Sequence, residues 1–299
     1  MKMEVRRKKN EKSVKQLKKA VQKVLIVLLL LVPAVFVVMP VLILLSGALM
    51  DSHELRNHLG SVFSQGNEFI SWKLIPDYPS FANYKKILLE TPQFFILFWN
   101  SMKLVVCILA GQLVMAVPAA WGFAVYQIKG SRVLFVLYVV LMLLPFQVTM
   151  LSCYLVLNRL SLLNTHLAII LPAVFSTFPV FLSYGGFRAI PAQLLEAARI
   201  DGAGEITIFL KLGLPLGKSG LLSAMVLGFL EYWNMMEQPM AFLEDKALWP
   251  LSLYLPEITW GQAGFAFCAS VVTLIPAVFV FVLGQDYLEQ GIIYSGLKE

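Results

Sequence analysis

Residues 190–204 read Ile190-Pro191-Ala192-Gln193-Leu194-Leu195-Glu196-Ala197-Ala198-Arg199-Ile200-Asp201-Gly202-Ala203-Gly204, and the chain continues through Phe209-Leu210-Lys211 to Leu212-Gly213-Leu214-Pro215. Glu196, Ala197 and Ala198 sit in a helix-favouring stretch. Gly202 is able to take the positive φ that ends a helix, and Pro215 starts the next segment. The stretch predicts a helix, a glycine turn and a second helix. The first helix is expected to lie parallel to a membrane, its charged face toward water.

The expectation of a membrane comes from what surrounds this loop. The chain of 299 residues is 59% hydrophobic and 14% charged, with a mean hydropathy of +0.75; soluble domains carry about 25% charged residues. A soluble fold of this size has too little interior for so much apolar surface. The apolar residues fall in uninterrupted runs such as 24–32 and 133–144, which indicates bilayer spans of about 20 residues. Six are predicted, at about 24–49, 102–126, 133–157, 166–187, 216–237 and 261–283. Helix is the expected form, because lipid offers no solvent to satisfy peptide groups. The fifth is the weakest, since Glu231, Asn234 and Glu237 follow its apolar run. Prolines 33, 40, 118, 145, 172, 179 and 276 lie within these spans; each is read either as simple bending or as the break that a pathway-lining helix needs.

Ten of the 24 Lys and Arg residues lie in the first 23 positions, directly before an apolar run. A basic stretch against a span is explained by anionic lipid and helix orientation, so nucleic acid is not expected as a partner. The run from 24 to 50 is also too long for a signal-peptide core. Lys129 and Arg132 in one turn, and Arg188, Arg199, Lys211 and Lys218 in the loop 188–218, add positive charge to the same side. The alternate loops are poorer in it. Both termini and the 188–218 loop are therefore expected in the cytoplasm. The outer loop from about 51 to 93 carries Trp72, Tyr78, Phe81 and Tyr84; it reads equally as a segment on the headgroups or as a docking surface.

Catalytic and metal chemistry find no support. Cys107, Cys153 and Cys268 sit in apolar runs as packing residues, and His53, His58 and His166 do not form a ligand set. Leu216-Gly217-Lys218-Ser219 resembles the end of a phosphate-binding loop, but position 212 is leucine where that loop needs glycine. The chain is not expected to bind ATP. A membrane enzyme or sensor is a distant alternative, without paired catalytic carboxylates or a cytoplasmic signalling domain.

The 196–215 stretch resembles the EAA motif of ABC-importer permeases, E-A-A, three residues, G, nine residues, I-x-L-P. Glu196-Ala197-Ala198, Gly202 and Leu214-Pro215 fall at that spacing, with Leu212 where the pattern has isoleucine. Further features are similar to the smaller permease subunit of maltose-type carbohydrate importers: Asn100-Ser101, Gly130-Ser131-Arg132, Leu162-Leu163-Asn164-Thr165, Trp233-Asn234, Pro239, Gln285 and Gly291.

The resemblance implies an all-α, six-span permease domain at 24–284, of the type I importer fold, between a basic segment 1–23 and a tail 285–299. It would form half of a carbohydrate pathway in the plasma or inner membrane and work by alternating access. The implied partners are a second permease in a heterodimer, two ATPase subunits holding ATP and Mg, and an extracytoplasmic solute-binding protein, with no cofactor in this chain. Glu196, Ala197, Ala198, Asp201, Gly202, Leu212 and Pro215 would couple to the ATPase, Ala197 and Ala198 as a packed small-residue face and Glu196 and Asp201 as polar anchors.

Intramembrane polar residues mark pathways or partners. Glu231, with Trp233 and Asn234, is read as lining the pathway, the indole stacking on a sugar face; equally, Glu231 pairs with the partner permease. Glu231 also raises the alternative of a charged or non-sugar solute, such as a peptide or amino-sugar conjugate. Gln147 and Thr149 are secondary pathway candidates, or bond to backbone carbonyls.

Overall fold

The computed structural model describes residues 2–63, 72–126, 128–255 and 262–296. Apart from an isolated bridge between Met50 and Pro79, the regular elements among the described residues are helices. The chain divides into two compact units, Met1–Asn83 with Ala263–Val271, and Tyr84–Gln262 with Val272–Glu299.

In the first unit, helix α1 (Lys2–Leu49) carries an apolar stretch, Val21–Leu49, that is long enough to cross a membrane and has no buried residue in its most apolar part. Such a surface is stable only against lipid or another protein. Beyond α1 the chain folds into a cap begun by α2 (Ser52–Phe63). Glu54, buried on α2, accepts from the backbone amides of Asp77 (2.8 Å) and Tyr78 (3.1 Å). Trp72 donates to the Ser46 hydroxyl at 3.0 Å and packs on Phe267, with ring centroids 5.9 Å apart. Of the outer-loop aromatics, Trp72 is thus tied into the fold, whereas Tyr78 and Phe81 are exposed.

The second unit opens with the short α3 (Ala82–Lys85, partly in the first unit) and a π-helical turn, Lys86–Glu90, and is organised around α4 (Pro92–Val125). Pro92 suits the first turn of α4, where its missing N–H has no intrahelical partner. At 34 residues α4 spans about 51 Å. One end packs Leu104, Val105 and Ile108 against Ile169, Phe229 and Trp233. The other packs Val117, Ala120 and Trp121 against Val180, Phe187, Leu195 and Ile208. Between the two clusters Gln112, 1% exposed, donates to the Ala173 carbonyl and the Tyr232 hydroxyl, both at 2.8 Å.

The expected third span is not one straight helix. It is α5 (Ser131–Met142) and α6 (Phe146–Arg159), set at 101°. Pro145, extended at φ −66° and ψ 147°, has no N–H for the Leu141 carbonyl and pushes Leu144 away from helical geometry. At this proline the outcome is a sharp turn. The expected fourth span, Leu167–Arg188, consists of α7 (Leu167–Val174) and α8 (Phe178–Arg188), interrupted just before Pro179. Pro172, by contrast, sits inside α7.

After the 188–218 loop, α12 (Lys218–Trp233) lies at 71° to the preceding helical stretch Glu205–Leu216. The break is at Gly217, so Pro215 lies in the stretch before it and does not open the fifth span. α13 (Glu237–Phe242) and α14 (Leu251–Tyr254) follow, and α15 (Ala263–Gly296) contains the last apolar stretch, Ala263–Glu289. Among the described residues four helical stretches are long and apolar enough to cross a membrane; the two bent pairs reach that length only when each is taken as one span.

Residues quoted for the family resemblance serve as pins of the backbone. Asn100 donates to the carbonyls of Ala247 (2.7 Å) and Trp249 (3.1 Å). Asn164, in the left-handed region at φ +57°, accepts from the amides of Glu244 (3.1 Å) and Asp245 (2.9 Å). Together they hold the 244–249 segment, Asn100 from α4 and Asn164 from the turn that follows α6.

Candidate functional site: the 188–218 loop and the helices above it

α9 (Ala192–Ile200) starts after Pro191, whose extended conformation ends the preceding turn. It closes in a Schellman arrangement: the Gly202 amide donates to the Arg199 carbonyl and the Ala203 amide to the Ala198 carbonyl, both at 3.0 Å. Gly202 has φ +82°, the left-handed value the sequence predicts for it. The apolar contact that accompanies this motif is supplied by Ala198 and Ala203, which belong to one cluster. α10 (Glu205–Ile208), a π-helical turn Phe209–Gly213 and α11 (Leu214–Leu216) complete the loop.

One face of α9 is held. Leu195 is buried and Ala198 half-buried, one turn apart, in a cluster with Trp121, Phe187 and Ile208. Trp121 crosses Phe187 edge to face at 5.3 Å and lies 5.6 Å from Phe209. Glycines bring the backbone onto these rings: a Cβ at Gly213 would stand 2.7 Å from Trp121, and one at Gly217 would stand 2.4 Å from Phe187. Leu212 is half-buried in the same cluster, and Pro215 is exposed.

The opposite face is bare. Glu196, Ala197 and Asp201 are exposed, and so are Leu194 and Ile200, the latter at 86%. Ala197 and Ala198 therefore do not form one packed small-residue face. They are 100° apart on the helix, so Ala198 turns inward with Leu195 while Ala197 stays outward with Glu196.

The polar fastening of the loop comes from residues for which the sequence offered no spacing signal. Arg199 Nε lies 2.8 Å from Glu205 Oε1 and its Nη2 3.3 Å from Oε2. The Tyr126 hydroxyl, just past the end of α4, donates to the same carboxylate at 2.8 Å. These two donors, Arg199 foremost, hold the Glu205 carboxyl below the usual carboxylate range. Within the loop, Glu205 is the clamp, whereas the anchors expected from the motif, Glu196 and Asp201, face outward.

Above the loop, α8 and α12 cross on glycine. A Cβ at Gly186 would stand 2.8 Å from the Gly217 carbonyl oxygen and 3.1 Å from the Gly220 Cα, and one at Gly220 would stand 2.9 Å from the Gly186 backbone. Backbone meets backbone here, as in the small-residue crossings of membrane helices.

The pathway candidates are dispersed. Glu231 and Asn234 are exposed, and Asn234 donates to the Leu230 carbonyl at 2.8 Å. Trp233 is 3% exposed; its ring stacks on Phe229 with centroids 5.6 Å apart, and its indole N–H donates to the Thr273 carbonyl at 3.1 Å. That corrects the expectation for Trp233, whose indole is a core side chain with no open face for a sugar. Gln147 donates to Glu237 Oε1 at 2.7 Å, and not to a backbone carbonyl. The pair lines a cavity of about 580 Å³ between α6 and α13, with Phe146, Met150, Tyr154 and Met240. Glu231, Trp233 and Asn234 do not line it. Thr149 bonds the Phe146 carbonyl at 3.1 Å, the local role open to it. Among the described residues no group of three His, Cys, Asp or Glu side chains is placed to hold a metal ion.

The chain is similar to known transport proteins. Over 269 residues it is 29% identical to the arabinooligosaccharides transport system permease protein AraQ of Halalkalibacterium halodurans, covering 89% of this chain and 92% of that protein. The lactose transport system permease protein LacG of Rhizobium radiobacter is 27% identical over 203 residues, 67% of this chain and 74% of that protein. The fold matches a chain in the crystal structure of a bacterial ABC transporter involved in the import of the acidic polysaccharide alginate, with a TM-score of 0.76 and 22% identity over 89% of this chain and 96% of that one. Residues 112–294 match the family described as binding-protein-dependent transport system inner membrane component, and they include the loop, the crossing and the C-terminal part of α4. The chain belongs to that family, as a transport permease subunit and not an enzyme.

Proposed function

We propose that this chain forms half of the translocation pathway of an ATP-driven importer for a carbohydrate. It does so by alternating access, paired in a heterodimer with a second permease. Relatives named for arabinooligosaccharides and lactose support the cargo class. In this reading the chain crosses the inner membrane six times, α5 and α6 together making the third span and the fifth running over about 216–237, and both termini lie in the cytoplasm. The positive charge of residues 1–23 and of the 188–218 loop supports that orientation. Two separate ATPase subunits hold ATP and Mg, and an extracytoplasmic protein delivers the solute.

The observation that carries the proposal is the two-faced α9. Leu195 and Ala198 seat it on the transmembrane core, while Glu196, Ala197, Ile200 and Asp201 are left for a partner. An exposed isoleucine beside carboxylates is what an ATPase groove would cover. Force on that face passes through the Gly202 turn, Leu212 and Pro215 to the crossing of α8 and α12, which tilts α12, the helix that bears Glu231 and ends at Asn234. Gln147, on α6, belongs to the same pathway. The test is reconstitution of the complete importer with Glu196→Ala, Ile200→Asp and Gly202→Ala. ATP hydrolysis should persist while solute uptake falls at least tenfold. Normal uptake by all three variants would defeat the coupling assignment.

A second reading, a charged or non-sugar solute, is favoured by the exposed carboxylate of Glu231. Uptake of neutral against cationic substrates by wild type and Glu231→Ala separates the two readings. Unchanged selectivity in the variant removes the second.

A further inference from the structure

A separate cavity of about 800 Å³ opens where the ends of α4 and α8 meet the start of α5. Lys129, Arg132 and Arg188 line it together with Tyr126, Phe135 and Tyr184. α5 begins here, after Gly130 at φ +87°, and its first-turn amides have no side-chain cap. The Ser131 amide donates to the Ile128 carbonyl at 3.0 Å, and the amides that follow it, at the positive end of the helix dipole, favour an anion. Among the described residues no carboxylate lines the cavity, and Glu205, to which Tyr126 donates, is already held by Arg199. Among the described residues, none of the three cations is in an ion pair. One and two turns beyond Arg132, Val136 and Val140 extend the wall as an exposed apolar stripe on a helix that buries none of its side chains.

We propose that this cavity binds an anionic phospholipid, its phosphate among Lys129, Arg132 and Arg188 and an acyl chain along Val136 and Val140. An inorganic anion would satisfy the cations and leave the valine stripe bare. A protein partner would have to bury three cations, at the desolvation cost that such charges carry. A phospholipid meets both demands, and basic pockets between membrane helices on the cytoplasmic side recognise such headgroups. The site depends on membrane insertion and on the orientation proposed above, and not on the cargo. Failure of the transport reading therefore leaves it standing.

The test is native mass spectrometry of the full-length chain in detergent, titrated with phosphatidylglycerol or phosphatidylcholine. Wild type should retain phosphatidylglycerol in preference to phosphatidylcholine. The triple variant Lys129→Ala, Arg132→Ala, Arg188→Ala should lose phosphatidylglycerol affinity by about 10- to 100-fold. Removing three cations elsewhere, Lys73→Ala, Lys85→Ala, Lys86→Ala, should leave it unchanged. Equal retention by wild type and a folded triple variant, or equal loss in the control, overturns the site. Displacement of the lipid by equimolar inorganic phosphate shows a plain anion site and overturns the lipid assignment. If the triple variant does not fold, acyl-chain length on wild type decides. Tighter retention of long-chain than short-chain phosphatidylglycerol supports the site, and no dependence on chain length overturns it.

Discussion

Arg199 reaches across the Gly202 turn to Glu205, its Nε 2.8 Å from one carboxylate oxygen, and so closes the loop on itself at the point where α9 gives way to α10. Because Tyr126 donates to the same carboxylate, the loop is tied to α4 as well as to itself.

Glu205→Gln should therefore loosen the loop without unfolding the chain. The pair is partly exposed, so global stability should change by less than about 1 kcal/mol. Hydrogen exchange of the 196–208 amides should nevertheless accelerate. The Glu205 carboxyl titrates below its ordinary value. Its contribution is accordingly complete above the ordinary carboxylate range and is lost as pH falls through the lowered folded value. Loop exchange in wild type should approach that of the variant only in that acidic window, and high salt at neutral pH should move it part of the way.

Gly202→Ala places a side chain at φ +82°, where there is space for the methyl but not for the conformation. The cost is about 1–2 kcal/mol. Gly202→Asn should recover part of it, because asparagine tolerates this region. Thermal melting of the purified chain ranks the three proteins. An alanine variant as stable as wild type would show that the turn relaxes freely.

The crossing of α8 and α12 makes a paired prediction from adjacent glycines. Gly186→Ala drives a methyl into the backbone of Gly217 and Gly220, whereas the same change at Gly185 meets nothing within 4 Å. Gly186→Ala should lower stability by about 1–3 kcal/mol. Gly185→Ala should be neutral or stabilising, by up to about 1 kcal/mol. Melting temperature and the yield of monodisperse protein distinguish the two.

Gln112 joins α4 to the Ala173 carbonyl at the end of α7 and to Tyr232 on α12. Gln112→Leu leaves both acceptors without this donor and should cost about 1–3 kcal/mol. Tyr232→Phe, which removes one of the two bonds, should cost about 0.5–1.5 kcal/mol. The double variant should fall short of the sum if the three groups act as one network.

Membrane insertion was legible in the apolar runs around 24–49 and 261–283, because transfer into lipid depends on composition alone and not on neighbours in space. The helix ending at Gly202 was legible for a similar reason. A left-handed residue is a local backbone demand that glycine meets, and it stands at the motif's spacing. What lay beyond the linear pattern was the choice of face and of partner. Ala197 and Ala198 are adjacent and identical in chemistry, yet Trp121 and Phe187 receive only Ala198, since a helix turns 100° per residue. Trp233 read as a pathway aromatic until Phe229 and the Thr273 carbonyl, one of them 40 residues away, closed around it. The turn at Pro145 has a local cause, but its 101° depends on where α5 and α6 each find their contacts. Solvation and backbone preference are properties of short stretches of chain. Burial, clamping and angle belong to the packed molecule, because they arise from atoms that the sequence keeps far apart.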